Sequence, residues 1–368
     1  FQVMEAGGNA IDGGVAAGIT LGVVQSELVG VAGVAPIIIY LAEEDRVVTI
    51  SGLGTWPRAT DPAFFAREYP ESVPEGILRW IVPAAPAAWI KALELYGTMT
   101  FGEVAAAAIN LATDGFIMYA LMAEVVEGKA KKYARWPSNS EIYLPGGRAP
   151  KVGENFRQVD VGKSLQYMAD CEAASNGDRV AGLKAARGAF YKGDIAQKIA
   201  AYHKDNNGLI GLDDLADFEV EVEDALSVDV AGTKIYSCGP WCQGPMLLQI
   251  MQLLEGRNIA AMGHNSAAHI HHVTEAVKLA VADRERWYGD PRFVDVPMDW
   301  LLSEDYAAQR RAMIDPEKAW PGMPPSGDPK LAQPAPKLTP LDALDTSYAC
   351  AIDAKGNIFS ATPSDTSS

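Results

Sequence analysis

The residue with the clearest chemical potential is Thr346, in the segment "LDTSYACAIDAKGN" (residues 344–357). An irregular, proline-rich stretch precedes it, and an alternating stretch that predicts buried strand structure begins at Asp345-Thr346. Within a chain, a threonine hydroxyl is a poor nucleophile. If the bond after Asp345 is broken, the new α-amine has a pKa of roughly 7.7–8 and can act as the base for its own Oγ. The same hydroxyl can attack the Asp345 carbonyl in an N-to-O acyl shift, so the pattern is compatible with a self-processing site, but threonines begin many ordinary strands as well.

Two other groups of residues could do chemistry, and a structural role is the better interpretation of each. In "HIHHVTE", His271 and Glu275 lie one helical turn apart, but a zinc site needs further ligands that nothing nearby supplies. We therefore expect a partly exposed helix face. Cys242, in "PWCQGP", has no histidine at an informative position and is interpreted as a loop cysteine.

Four tryptophans are interpreted as core aromatics. Two of them stand in loops, and these two could instead line an apolar pocket. The four are Trp56, Trp80, Trp89 and Trp241, and the two in the loops are Trp56 and Trp241.

Composition restricts the class of protein. The chain has 368 residues, 48% hydrophobic and 21% charged, which is typical of a globular protein with a large core. A formal net charge of −16 without a basic stripe argues against nucleic acid as a partner. The four cysteines are too few for a disulfide framework and too poorly spaced for structural zinc. No cofactor or metal is implied.

An apolar run from Ala10 to Ala42 raises the question of a membrane span. Asp12 and Glu27 interrupt it together with several glycines, so a buried glycine-rich helix, a loop and a strand are predicted instead. The chain starts at Phe1 without methionine and within a predicted helix. We therefore expect a longer natural N-terminus, and the compartment, periplasmic or cytoplasmic, stays open.

The elements that would position Thr346 are helices and short strands in blocks. The sequence predicts one helix over residues 1–24, a strand–turn–strand over 36–52, two helices separated at Gly97, and two strands over 219–238. Two amphipathic helices follow, then a linker over 316–345, and finally two strands joined by "AKGN". This order predicts an α+β fold with sheets covered by helices.

Five segments together resemble the gamma-glutamyltranspeptidase family of N-terminal nucleophile hydrolases. They are "EAGGNAIDGGVAAGITLGVVQ", "VPAAPAAWIKALELYGTMTFGEVAAAAINLATDGF", "GAFYKGDIAQKIAAYHKDNNGLIGLDDLADFEVEVEDAL", "TEAVKLAVADRERWYGDPRFVDVP" and "LDTSYACAIDAKGN". The resemblance implies a four-layer α-β-β-α fold and a precursor cut between Asp345 and Thr346. Residues 1–345 would then belong to the large subunit, and residues 346–368 would begin the small subunit.

The same resemblance implies roles for single residues. Thr346 matches the family's nucleophile, Ser364 stands where a second threonine tunes that nucleophile, and Thr366 stands where an asparagine contacts the substrate. The family's oxyanion-hole residues would lie beyond Ser368, so residues 1–368 alone are expected to be inactive.

Three departures from the family pattern concern the substrate. Leu53, in "ISGLGTWPRATD", stands where the family has an arginine that binds the α-carboxylate of a gamma-glutamyl group, and Arg58 is displaced from that position. The family's glycine run reads "GVAGVAP" here, and its Pro-Pro-Pro-Ser-Ser-Gly-Gly loop reads "GPWCQGP". The resemblance thus implies conserved chemistry and a changed pocket.

The sequence therefore predicts an amide hydrolase or acyltransferase that acts through a threonyl ester on a small-molecule substrate, with its own small subunit as partner. Two alternatives stay open. The protein could be a true gamma-glutamyl transferase or glutathione hydrolase, or it could be a relative that binds ligands but is neither processed nor catalytic.

Overall fold

The computed structural model describes residues 1–327 and 346–365. Within these residues the strands, in chain order, are β1 (Ile37–Leu41), β2 (Arg46–Ile50), β3 (Phe116–Ile117), β4 (Asn155–Phe156), β5 (Val222–Asp224), β6 (Leu226–Val230), β7 (Thr233–Ser237), β8 (Ala349–Ile352) and β9 (Ile358–Ala361). The predicted α+β composition is confirmed. The interval 219–238 holds three short strands rather than the two predicted, because the strand is interrupted at residue 225 in addition to the turn at 231–232.

The helices, in chain order, are α1 (Gln2–Glu5), α2 (Ala10–Val24), α3 (Pro62–Glu68), α4 (Ala85–Tyr96), α5 (Phe101–Asp114), α6 (Ala120–Gly128), α7 (Ala130–Tyr133), α8 (Pro137–Tyr143), α9 (Val159–Ala173), α10 (Arg179–Tyr191), α11 (Asp194–Asp205), α12 (Leu212–Ala216), α13 (Gly244–Leu254), α14 (Ala267–Trp287), α15 (Met298–Leu301) and α16 (Glu304–Arg311). Short 3₁₀ turns occur at Ile77–Arg79, Pro145–Gly147 and Ile259–Met262. The predicted break between α4 and α5 at Gly97 is confirmed.

The chain divides into two compact units. The first contains residues 1–46, 50–222 and 346–365, and the second contains residues 47–49 and 223–327. The candidate site belongs to the first unit, so its packing is described first.

Helix α2 is the buried centre of the first unit, and its glycines are places of close approach. A Cβ on Gly14 would lie 2.0 Å from Cδ1 of Phe359, and one on Gly18 would lie 2.5 Å from Cη2 of Trp89. Glycine at these positions lets both aromatic rings pack directly on the helix. No helix in the described part of the chain is long and apolar enough to span a membrane.

The predicted helix over residues 1–24 is interrupted in the structure. The backbone turns at Gly7, with φ of 105°, and α2 begins at Ala10 with Asn9 as its N-cap residue. The Asn9 side chain accepts hydrogen bonds from the amides of Ile11 and Asp12, and Asp12 accepts from the Asn9 amide, which forms a capping box. The capping residues, rather than apolar periodicity, set the start of α2.

Strand β9 lies between β1 and β8 in an antiparallel sheet. Ile39 pairs with Phe359, and Ala349 pairs with Ala361. The β8–β9 hairpin turns at Gly356, with φ of 88°, and Oδ2 of Asp353 accepts a hydrogen bond from the Ala10 amide at 3.1 Å. The hairpin that follows Thr346 is therefore attached directly to the N-terminus of the buried helix.

The second unit contains a β6–β7 hairpin packed with helices. Val228, Val230 and Leu248 form one apolar cluster in it. A buried ion pair joins α14 to α16, with Nη2 of Arg310 at 3.0 Å from Oδ1 of Asp283. Asp283 is the acidic residue of the "ADR" part of the segment "TEAVKLAVADRERWYGDPRFVDVP", and its role here is structural.

Candidate active site

Thr346 lies on the surface at the entrance to the β8–β9 hairpin. It forms an isolated antiparallel bridge with Ser364, and the Ser347 amide donates a hydrogen bond to the Pro363 carbonyl at 3.0 Å. The expectation of a buried strand from Thr346 is wrong: this residue is exposed, and regular strand pairing starts at Ala349. The backbone around Thr346 is held in extended pairing while the side chain stays accessible.

Ser364 is fixed from its other side by the loop that follows α2. Its amide and carbonyl both form 3.0 Å hydrogen bonds with Val34, and the Asp365 amide donates to the Leu28 carbonyl at 3.2 Å. A Cβ on Gly33 would lie 2.1 Å from the Ser364 carbonyl oxygen. Gly33, the second glycine in "GVAGVAP", is thus required for the backbone of this loop to pair with the segment that carries Ser364.

The two hydroxyls predicted to act together are in contact. Oγ1 of Thr346 lies 3.2 Å from Oγ of Ser364, within hydrogen-bond distance, and Oγ of Ser364 also lies 3.3 Å from the Asp365 carbonyl oxygen. If the Ser364 hydroxyl donates its hydrogen to the Asp365 carbonyl, its oxygen can accept a hydrogen bond from the Thr346 hydroxyl and so orient that hydroxyl. The other two predicted residues, Asp345 and Thr366, lie outside the described part of the chain.

Arg58 does not occupy the position of a free carboxylate-binding group. Its side chain is 62% exposed and pairs with Asp217 at 2.9 Å, and its amide donates to Asp214 at 3.0 Å. Both acidic residues raise the pKa of this guanidinium, the Asp217 hydrogen bond most strongly. Leu53 is partly buried and carries no charge.

The interpretation of all four tryptophans as core residues is wrong for two of them. Trp89 is buried, whereas Trp56 and Trp80 are 47% and 46% exposed. Trp56 packs on Phe65, with ring centroids 6.0 Å apart. The indole N–H of Trp241 donates to Glu223. Of the described tryptophans, Trp80 and Trp136, rather than the predicted pair, line a large cavity.

The loop interpretation of Cys242 agrees with its contacts. Its sulfur accepts a hydrogen bond from the Gly244 amide at 3.3 Å and lies 3.6 Å from the Gly239 carbonyl oxygen. A hydrogen bond with the Cys238 thiol lowers the pKa of Cys242 and raises that of Cys238. The two thiols therefore form a pair within the loop.

The helix face around His271 is more buried than predicted. Glu275 is 1% exposed, forms a 2.6 Å ion pair with Lys278 and accepts from the Trp320 amide at 3.1 Å. Nε2 of His271 lies 2.7 Å from the Asp315 carbonyl oxygen. These partners explain both side chains without a metal, and no cluster of three or more metal-ligating side chains occurs among residues 1–327 and 346–365.

A cavity of 590 Å³ is lined by residues that the sequence interpretation missed. Its wall includes Asp365, the residue that follows Ser364, and Glu27. In the sequence, Glu27 is recognisable only as a polar interruption of an apolar run. A carboxylate inside an apolar segment beside a glycine-rich loop was the only available signal, and it did not indicate what the side chain would face.

Comparison with known proteins gives a consistent result. The sequence profile of the gamma-glutamyltranspeptidase family matches residues 1–367. The acylase ACY 1 proenzyme of Pseudomonas sp. (strain SE83) is 31% identical over 376 residues, covering 98% of this chain and 62% of the acylase. The glutathione hydrolase proenzyme of Pseudomonas sp. (strain A14) is 29% identical over 367 residues, covering 98% of this chain and 60% of the hydrolase.

Structural comparison agrees with the sequence comparison. The crystal structure of Helicobacter pylori gamma-glutamyltranspeptidase superposes with a TM-score of 0.81 at 28% identity, covering 91% of this chain and 94% of that chain. The chain spans about three fifths of the length of the two curated relatives. Since the family profile extends over residues 1–367, the chain belongs to the gamma-glutamyltranspeptidase family.

Proposed function

We propose that the protein is made as a precursor, cut between Asp345 and Thr346, and then acts as an amide hydrolase or acyltransferase. In the first step Oγ of Thr346 attacks the Asp345 carbonyl, the peptide C–N bond breaks, and the α-amine of Thr346 takes up the proton. Water then hydrolyses the ester between Asp345 and Oγ, which frees the Thr346 hydroxyl and leaves Asp345 with a C-terminal carboxylate. In turnover, Oγ attacks the substrate amide, the Thr346 amine accepts its proton and passes it to the leaving amine, and a threonyl ester forms. Water or an acceptor amine then takes the acyl group.

The observation that carries this proposal is the contact between Oγ1 of Thr346 and Oγ of Ser364 at 3.2 Å on an exposed, backbone-paired segment. A nucleophile must be both accessible and oriented, and this arrangement supports both. The word "proenzyme" in the names of the two curated relatives supports processing as well.

Several finer features belong to the same proposal. Residues 1–345 form the large-subunit portion, and residues 346–368 begin the small subunit. The fold is the four-layer α-β-β-α arrangement, and Ser364 orients the nucleophile while Thr366 contacts the substrate.

The test is a denaturing gel of the full protein with N-terminal sequencing of the smaller fragment. The proposal requires two fragments, the smaller starting Thr-Ser-Tyr. A single intact chain under all conditions would favour the non-processing alternative.

We expect gamma-glutamyl compounds to be poor substrates. A carboxylate is best bound by a bidentate guanidinium, and Leu53 cannot provide one, while Arg58 is paired on the surface with Asp217. Losing such a contact removes a few kcal/mol, on the order of a hundredfold in kcat/KM. The measurement compares gamma-glutamyl p-nitroanilide with 4-aminobutanoyl p-nitroanilide, which lacks only the α-carboxylate.

In this comparison the 4-aminobutanoyl compound should react at least as fast as the gamma-glutamyl compound, because the enzyme gains nothing from the carboxylate. A hundredfold preference for the gamma-glutamyl compound would mean that another group binds the carboxylate. The alternative function as a true gamma-glutamyl transferase would then be the better one.

A further inference from the structure

The cavity whose wall includes Asp365 is of a size suited to a small molecule. Its volume is 590 Å³, and binding pockets commonly measure about 300–1,000 Å³. Asp365 is part of its wall, and the preceding residue, Ser364, contacts Thr346. Ser364 and Asp365 are neighbours in the chain, so one residue of the cavity wall is directly bonded to a member of the Thr346–Ser364 pair.

Glu27 is part of the cavity wall, and one of its carboxylate oxygens is a buried acceptor without a partner among the described residues. The side chain is 7% exposed, Oε1 accepts a hydrogen bond from the Tyr119 hydroxyl, and Oε2 is buried with no hydrogen-bond partner among the described residues. Burial raises the pKa of Glu27, although the Tyr119 hydrogen bond opposes the shift. A buried polar atom without a partner costs about 1–3 kcal/mol. A ligand that donates a hydrogen bond to Oε2 would remove that cost.

The surroundings of Glu27 favour a cation over a neutral donor. Glu27 and Asp365 both act electrostatically on Tyr133, whose pKa is raised to about 12, first by burial and then by neighbouring charges that include these carboxylates. Tyr133 and Tyr143 stack with ring centroids 4.8 Å apart, and both rings line the cavity. Two carboxylates beside aromatic rings form a site that attracts an ammonium group by charge and by cation–π interaction.

Two basic groups of the cavity wall, those of Lys132 and Arg79, already have partners in the protein. Lys132 forms a 2.8 Å ion pair with Glu75, and Nη2 of Arg79 donates to the Val73 carbonyl at 2.7 Å. Lys129 and Lys198 also line the cavity, and Lys198 is exposed to solvent, so an anionic probe is needed in the test below. The outer wall is aromatic, since Trp80, Trp136 and Tyr202 also line the cavity.

We propose that this cavity is the acyl-group pocket, and that it selects acyl groups with an aromatic or apolar body and a protonated amine, which Oε2 of Glu27 binds. The assignment of the cavity to the acyl group rests on the proposed function of Thr346. The assignment of Glu27 as an amine-binding residue rests on the cavity itself.

The first measurement is calorimetric binding of benzylamine to the full protein, with benzyl methyl ether as the probe without a donor and phenylacetate as the anionic probe. Benzylamine should bind at least tenfold more tightly than either. Glu27→Gln keeps the acceptor for Tyr119 but removes the charge, and it should weaken benzylamine binding about tenfold while changing ether binding less than twofold. Glu43→Gln removes the same charge from an exposed turn and should change neither.

Equal binding of the amine and the ether by the parent protein would overturn the proposal, and so would tighter binding of phenylacetate. Both comparisons use the parent protein, so they decide the matter even if Glu27→Gln does not fold. An undiminished affinity for benzylamine in folded Glu27→Gln would overturn the role of Glu27.

The second measurement is kcat/KM for two matched substrates, 4-(aminomethyl)phenylacetyl and 4-ethylphenylacetyl p-nitroanilide. The parent enzyme should prefer the amine by at least tenfold, and Glu27→Gln should remove that preference. If benzylamine binds through Glu27 while the two substrates react equally, the cavity is not the acyl pocket. If the gel shows no cleavage and neither substrate reacts, the proposed function fails, and the binding data still report on Glu27.

Discussion

In the full protein, Thr346→Ala is expected to give a single uncleaved chain with no measurable amidase activity. The variant removes the only atom that can carry out both the acyl shift and the threonyl ester step in the proposed mechanism. Losing a covalent nucleophile commonly costs many orders of magnitude in kcat, on the order of 10⁶ in a well-studied serine protease. Folding should be unaffected, since the side chain is exposed and its backbone pairing with Ser364 does not depend on the hydroxyl. A denaturing gel and circular dichroism measure the two effects.

Two neighbouring substitutions serve as controls. Ser347→Ala removes a hydroxyl one residue further on, and its backbone hydrogen bond to Pro363 is retained, so processing should be normal. Ser364→Ala removes the hydroxyl that contacts Thr346, so processing should slow by about fivefold, as expected for one hydrogen bond worth about 1 kcal/mol. Efficient cleavage of Thr346→Ala before residue 346 would exclude Thr346 as the processing nucleophile.

Arg310→Met is expected to lower the free energy of unfolding of the second unit by about 3–5 kcal/mol, the usual cost of leaving a buried charge unpaired. The side chains of Arg310 and Asp283 are 3% and 1% exposed, and Arg310 also donates to the Leu279 carbonyl at 3.0 Å and the Pro325 carbonyl at 2.9 Å. Amide hydrogen exchange in α13, α14 and α16 of the full protein measures the effect in this unit alone.

Arg292→Met is the matched control, because it breaks an ion pair on the surface of the same unit. In that pair the side chain of Arg292 is 47% exposed and that of Asp290 is 35% exposed. Surface pairs are worth about 0–1 kcal/mol, so exchange should change little. Adding Asp283→Asn to Arg310→Met removes the unpaired charge and should restore part of the lost stability. If Arg310→Met and Arg292→Met have equal effects, the pair at Asp283 is not important for stability.

The destabilisation by Arg310→Met should also depend on pH. Burial already raises the pKa of Asp283 above its usual value, even though Arg310 opposes the shift. Without Arg310 the folded-state pKa rises further, so the folded variant binds a proton more readily than the unfolded chain. The loss of unfolding free energy in Arg310→Met is therefore fully present above the folded-state pKa of Asp283. It becomes smaller as the pH falls through that pKa.

Much of the first unit was predictable because its signals are local. The break at Gly97, the turn "AKGN" and the alternating strands around it are set by glycine, turn residues and apolar periodicity within a few positions. Two element predictions failed because local patterns do not report on capping or register. The helix over residues 1–24 is divided at the Asn9 cap, and regular pairing after Thr346 begins only at Ala349.

The sequence by itself determined the family, and it yielded two predictions, Thr346 as the nucleophile and Leu53 in place of an arginine, because each depends on residue identity at a position in an ordered set of motifs. Only the tertiary structure decided what those residues contact. The contact between Thr346 and Ser364 joins residues 18 positions apart in the chain. The close approach of Gly33 to Ser364 joins segments more than 300 residues apart, and the missing partner of Glu27 Oε2 is a consequence of burial. Hydrophobic periodicity says which face of an element is buried, but only packing shows what it is buried against.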